Sequence, residues 1–548
     1  MTDSTLGVRQ RSGRHAATFR ASLLSVLLAA CAVLACTQSG APVNLGSITP
    51  VGETTPIWLQ SLPAGAPTPT LPAPTPPVPG AATPTARPTN DTSRSPTPNA
   101  TSAAIRARQT VEQYTVQAGD YLSKIGERFG VSAADIAAAN GFKISAAIQP
   151  GQVLTIPVPT ANNFGPDFKI LPDSDFVYGP GSVGFNLDAF IQAYGGYLAH
   201  YSQEIPGIDL DGSSTPRTLS GAEVIQTVAQ RYSLDPRLLL ALLDYQSGWV
   251  RKAQPGGNSL PYPLGDTTPG REGLFLQMTG AARKLNYGYY AWRAGGLLSW
   301  SFPDGSVKMI AGGLNPGTTG VQAFFAWVLA PADWTQTVSD GGFSNTYRAL
   351  FGNPFQNAVE PLVPPDLVQP LLQLPFEPGK EWSFTGGPHA AWDTGSAWAA
   401  IDFAPPGDAL GCVQSDEWVV ASAPGLVVRA ANGAVMVDLD GDGYEQTGWV
   451  LFYMHIAARE RVAVGTALKT GDRIGHPSCE GGVSQGTHTH FARKYNGEWI
   501  PADGPIPFVL DGWVSQGLGA EYDGTLTRNA VTIEACDCRG PDNQISRP

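Results

Sequence analysis

A stretch that cannot fold on itself divides this chain unequally. From Ala41 to Ala100 there are 15 prolines, interleaved with Thr, Ala and Ser, and the only aromatic residue between Phe19 and Tyr114 is Trp58. Nothing in such a segment can fill a core, and each proline fixes its own φ and removes a backbone donor. Steps such as Thr68-Pro69-Thr70 and Thr83-Pro84-Thr85 favour extended polyproline geometry. Residues 37–112 are therefore expected to form a disordered Pro/Thr-rich stalk. The 13 Trp, 17 Tyr and 21 Phe of the 548 residues then concentrate in the rest, enough for several cores. The formal charge of −12 argues against nucleic acid as a partner, because phosphate binding needs a basic surface.

Arg9, Arg11, Arg14 and Arg20 precede an apolar run, Ala21–Ala35, that is too short to span a bilayer stably. Residues 1–36 thus read as a secretion signal. Leu28-Ala29-Ala30-Cys31 and Val33-Leu34-Ala35-Cys36 both resemble bacterial lipobox sequences. The resemblance implies lipidation at Cys31 or Cys36, a membrane contact through a lipid anchor, and a cell-envelope location outside the cytoplasmic membrane.

Beyond the stalk, Tyr114-Thr115-Val116 reads as a strand and Gly119-Asp120 as a turn. Leu122, Ile125 and Phe129 recur at helical spacing. Ser132-Ala133-Ala134-Asp135 is a capping-box pattern that opens a second helix ending at Asn140-Gly141, and Pro150-Gly151 turns into the strand Val153–Ile156. This βααβ order over residues 113–158 resembles the lysin motif (LysM). The resemblance implies binding of N-acetylglucosamine chains, as in peptidoglycan, along the loop Gly119, Asp120 and Tyr121.

Residues 180–356 are mainly helical in pattern: Asn186–Gln203, Gly221–Tyr232, Pro236–Trp249 and Glu272–Arg293 carry apolar residues at spacings of three and four. The stretch from Tyr232 to Trp249 resembles the lysozyme-like transglycosylases, in which such a helix ends in Glu-Ser-Gly and an aromatic. Here it ends Gln246-Ser247-Gly248-Trp249. Glycosidic cleavage needs a carboxylic acid to protonate the leaving oxygen, and an amide cannot supply that proton. Asp244 points about 200° round the helix from Gln246, and Glu272 has no motif behind it. The domain is expected to be lysozyme-like and inactive.

Five of the seven histidines, His389, His455, His476, His488 and His490, fall in a region dense in short strands. His488 and His490 alternate, so on a strand they share a face. Trp449–His455, Gly425–Val428 and Ala434–Val437 read as further strands of an antiparallel sheet. His389, Asp402 in Ile401-Asp402-Phe403-Ala404-Pro405, Tyr453-Met454-His455 and His488-Thr489-His490-Phe491 together resemble the lysostaphin-like zinc endopeptidases of bacterial cell walls. The resemblance implies an all-β antiparallel metallopeptidase domain over 376–540, with zinc held by His389, Asp402 and His490, and His455 and His488 as catalytic histidines. Three protein ligands leave a fourth position open. No His-Glu-x-x-His helix occurs, so imidazoles must handle the proton. Most of the family has a shorter gap between the first His and the Asp, which Asp393 would satisfy. The strand context favours Asp402, and the long gap resembles the beta-lytic branch. His476, in Gly475-His476-Pro477, reads as a turn residue.

Asp438, Asp440 and Asp442 in Asp438-Leu439-Asp440-Gly441-Asp442-Gly443 read first as a hairpin turn, with Ca2+ as a lesser alternative; the EF-hand's closing Glu is replaced by Trp449. Four cysteines follow the signal, and three pairings are open. Cys412 and Cys479 both flank groove strands and are expected to pair, leaving Cys536 and Cys538. The chain is thus expected to be a multidomain cell-wall hydrolase. The alternative is a non-catalytic peptidoglycan-binding lipoprotein that regulates other hydrolases.

Overall fold

The computed structural model describes residues 110–117, 119–159 and 163–547. The signal segment with Cys31 and Cys36, and nearly all of the stalk, lie outside the described residues. Among the described residues no helix is long and apolar enough to cross a membrane.

The first folded part has the expected order. Glu112–Thr115 pairs antiparallel with Val153–Ile156, and helices Leu122–Phe129 and Ala133–Ala139 lie between them. Ser132 accepts from Asp135 N while the Asp135 carboxylate accepts from Ser132 N, so the capping box satisfies two orphan donors at the second helix. Leu122, Ile125, Ile136, Leu154 and Ile156 close a small core.

The middle part is mainly helical. Ser220 and Glu223 form a capping box that starts the helix Gly221–Tyr232, and Asp235 caps Pro236–Ser247 with Pro at its first position. The buried helix Leu274–Arg293 packs against Gly221–Tyr232 and Pro316–Val328. One expected helix is shorter than its pattern: the segment from Asn186 is helical only over Leu187–Tyr194, because Gly195 takes φ 62° and ends it. A 3-10 turn and the strand Ser202–Ile205 replace the rest.

In the C-terminal part, the main sheet runs in the order Ala467–Leu468, Gly425–Ala431, Ala434–Asp438, Trp449–Met454, Thr489–Tyr495, Ala400–Ala404, Glu381–His389 and Gln544–Ser546, all antiparallel. A second, four-stranded sheet spans Val509–Glu534. The domain is wider than 376–540, since Leu372 and Leu374 lie in its core and Gln544–Ser546 completes the sheet edge.

Alternation along the strands separates the two faces of the main sheet. Ile401, Phe403, Val435, Leu451, Tyr453 and Phe491 enter the core of the C-terminal part. Ala400, Met436, Phe452, Met454 and Ala492, from the alternate positions, join the core of the middle part. The two parts therefore share one apolar interior, to which Phe452 and Met454 each contribute roughly 1.5–3 kcal/mol by burial. Cys412 pairs with Cys479 (Cα–Cα 5.7 Å) and Cys536 with Cys538 (5.0 Å).

Candidate metal centre

Asp402 and His490 are register partners on adjacent strands and point to the same face as Phe452 and Met454. His389 ends the next strand over. The three meet: His389 Nε2 lies 2.9 Å from His490 Nδ1, and both nitrogens are 3.3 Å from Asp402 Oδ1. The remaining ring nitrogens are tied to backbone carbonyls, His389 Nδ1 to Gly387 (2.8 Å) and His490 Nε2 to Ala391 (3.0 Å). A carbonyl only accepts, so those nitrogens carry the protons and the neutral rings turn their lone pairs toward each other. Asp402 Oδ1 is buried and has no hydrogen-bond partner. Two lone pairs and an orphaned carboxylate oxygen, all within 4.8 Å of one another, could hold a divalent cation, and His, His and Asp suit zinc.

His455 and His488 face this cluster, with ring centroids 4.4 Å apart. His455 follows the strand Trp449–Met454 with φ 62°, which turns it out of the ladder. Its Nδ1 donates to the Glu480 carbonyl (2.9 Å), and His488 Nδ1 donates to that of Gly486 (2.8 Å). Both Nε2 atoms are left as acceptors, and that of His488 lies 3.7 Å from Asp402 Oδ2. Burial pushes the Asp402 carboxyl up, but the facing imidazoles of His389, His488 and His490 outweigh it and hold the carboxyl well below the usual range, so it stands as a carboxylate. Burial, with His488 and His490 beside it, keeps His455 well below the ordinary imidazole value and so neutral.

Asp393 is not part of this cluster. Its carboxylate faces the middle domain, where Tyr232 OH and Arg283 Nε each donate to Oδ2 at 2.6 Å. His476 is also apart, its ring tilted against Trp418 (centroids 3.8 Å) and bonded to Glu417 O and Glu460. Gln246 donates to the Leu264 carbonyl (3.0 Å), Asp244 is paired with Arg251, and Glu272 accepts from Tyr262. In the LysM loop, Gly119 has φ 83°, Asp120 is held by Tyr114 OH and Gln117 N, and Tyr121 is exposed. The Asp438–Asp440–Asp442 segment is not a tight hairpin turn. It belongs to a longer loop, because the flanking strands pair from Asp438 with Val450, and it brings three carboxylates within 4.8 Å.

Residues 114–157 match the LysM domain family, and residues 169–365 match the family described as LasA, N-terminal domain. The second span takes in the helical segment that suggested a lysozyme-like domain. Protease LasA of Pseudomonas aeruginosa (strain UCBPP-PA14) is 25% identical over 360 residues, 61% of this chain and 75% of its own length. The beta-lytic metalloendopeptidase of Lysobacter enzymogenes is 27% identical over 164 residues, 30% of this chain and 88% of its own. The chain carries a LysM domain, and beyond it is similar to LasA and to the beta-lytic metalloendopeptidase. Among solved structures, the M23 metalloprotease pseudoalterin aligns with a TM-score of 0.27 and 21% identity, over 33% of this chain and all of that one.

Five features of the site have no signature in the sequence. The carbonyls of Gly387, Ala391, Glu480 and Gly486 fix the imidazoles, yet any residue type supplies a carbonyl. Tyr522 stacks flat on His389 (4.2 Å, 18°) from a loop of the second sheet. A lone Tyr so far along the chain gives no local pattern to read.

Proposed function

We infer that the protein is a zinc-dependent endopeptidase that cuts the peptide part of peptidoglycan. The observation that carries this reading is the convergence of His389 Nε2, His490 Nδ1 and the unpartnered Asp402 Oδ1 beside two further imidazoles with open Nε2 atoms. His389, Asp402 and His490 would hold the zinc. Bound there, zinc would supply Lewis acidity, activating a water and polarising the scissile carbonyl. His455 and His488 handle the proton. Whichever takes it at Nε2 becomes a donor at that atom and can return it to the leaving amine, while the other ring steadies the developing oxyanion. Burial of the site excludes bulk water and strengthens each of these contacts.

The LysM domain would hold the glycan strand at Gly119, Asp120 and Tyr121, so that the attached peptides are presented to the endopeptidase domain. A lipid anchor at Cys31 or Cys36 would tether the chain to a membrane of the cell envelope, with the stalk as spacer. The middle domain would not act as a glycosidase, since Gln246 stands where the acid is needed. Ca2+ at Asp438, Asp440 and Asp442 would relieve the crowding that, with burial first, pushes the Asp440 carboxyl up to about 6. The test is digestion of purified peptidoglycan by the chain from Gln113 onward, with product masses read before and after chelation. New peptide termini that vanish with the chelator support the reading, and unchanged cleavage in chelator contradicts it.

A further inference from the structure

The segment 390–399 joins the two candidate ligands His389 and Asp402 and is much longer than a turn requires. It is closed on itself: Ala391 N donates to Ala397 O (2.9 Å), Trp392 N to Ser396 Oγ (3.1 Å), and Ser396 Oγ to Asp393 O (3.3 Å). On one side it meets the metal centre, because the Ala391 carbonyl accepts from His490 Nε2. On the other side the middle domain grips it at three points. Tyr232 OH and Arg283 Nε both donate to Asp393 Oδ2 at 2.6 Å. The Arg231 guanidinium lies over the Trp392 ring, 5.2 Å from its centroid. Gly395, at φ 95°, comes so close to the helix Leu274–Arg293 that a Cβ there would stand 2.4 Å from the Arg283 carbonyl. Asp393 itself has φ 56°, a left-handed conformation uncommon for a non-glycine residue.

We propose that this strap transmits the position of the middle domain to the metal centre: Asp393 is a positioning residue that, gripped by Tyr232 and Arg283, holds the Ala391 carbonyl where it aims the His490 lone pair at the cation. The proposal rests on the zinc reading above. It makes the middle domain part of the metal site's outer support. Outer-shell partners that fix a ligating imidazole commonly change metal affinity by about 10–100-fold when removed.

The experiment measures zinc affinity of the full chain, stripped of metal and titrated with zinc against a chromophoric chelator. The visible spectrum of the cobalt form is recorded alongside. Asp393→Asn and the middle-domain double variant Tyr232→Phe/Arg283→Met are expected to bind zinc ~10-fold or more weakly and to shift the cobalt bands. Ser233→Ala removes a neighbouring interdomain bond, Ser233 Oγ to Gly497 O (2.7 Å), that does not touch the strap, and is expected to keep wild-type affinity and spectrum. Should Asp393→Asn fail to fold, Tyr232→Phe alone carries the comparison. Unchanged affinity in the strap variants overturns the proposal, and so does an equal loss in Ser233→Ala, which would make it an effect of the interface as a whole. His490→Ala separates the two levels. If it loses zinc while the strap variants keep it, only the positioning role is wrong; if it keeps zinc, the metal reading falls as well.

Discussion

Replacing Arg293 by Met should destabilise the protein at alkaline pH far more than at acid pH. Arg293, at the end of the long middle-domain helix, pairs with Glu498 on the short strand Glu498–Trp499 beside Thr489–Tyr495, and Tyr289 OH donates to the same carboxylate (2.9 Å). The contact is lopsided. Burial works against the Arg293 charge, but Glu498 and the nearby tyrosines outweigh it and hold the guanidinium above its ordinary value. Glu498 is fully buried, and its desolvation exceeds the help from Arg293, so its carboxyl is pushed up to about 7 from 4.5. A carboxyl raised in the folded state contributes stability that is fully present below the unfolded value near 4.5 and is lost as pH rises through about 7. Arginine stays charged throughout, so the pH dependence belongs to Glu498. Without Arg293 the carboxyl stays protonated to higher pH, and the variant forgoes the ionisation that wild type gains above about 7. At ~1.36 kcal/mol per pH unit, the loss is near zero at pH ~5.5 and about 2.7 kcal/mol at pH ~9, on top of a constant packing term. Urea unfolding of wild type and Arg293→Met at both pH values measures this. Equal destabilisation at the two pH values, or a larger one in acid, would refute the reasoning.

Three further outcomes are expected. His455→Ala should keep zinc but lose ~10²–10⁴-fold in kcat, because it removes one proton acceptor and no ligand; loss of metal in this variant would contradict the assignment. Cys412→Ser opens a cross-link between residues 67 apart in sequence and should cost about 2–4 kcal/mol, seen as a lowered Tm in calorimetry, whereas an unchanged Tm would mean the link constrains nothing. Gly395→Ala should cost at least ~2 kcal/mol in urea unfolding, since the residue sits at φ 95° against the Arg283 carbonyl, and a neutral substitution would show that the strap yields.

Much of the site was legible because its chemistry is carried by side chains in short motifs. His488-Thr489-His490 and Ile401-Asp402-Phe403 each mark a strand and a face at once. The choice of Asp402 over Asp393 came from strand context rather than spacing, and the structure puts Asp402 with the histidines and Asp393 against Tyr232 and Arg283. Helix starts were legible where caps exist, as at Ser220 and Asp235, and helix ends less so: Gly195 cut short a pattern that ran on to Gln203. The shared core was harder to see, though it left a trace. Val450, Leu451, Phe452, Tyr453 and Met454 are apolar at successive positions, which means both faces of that strand are covered. What covers the second face could not be read, because the packing of one domain on another leaves no period in either sequence.

The most direct test of the central claim is anomalous diffraction at the zinc edge from crystals grown with zinc. A single strong peak is predicted, with His389 Nε2, His490 Nδ1 and one Asp402 oxygen each roughly 2.0–2.2 Å away. A peak bound by Asp393, or crystals whose His389, Asp402 and His490 carry no peak at all, would contradict it.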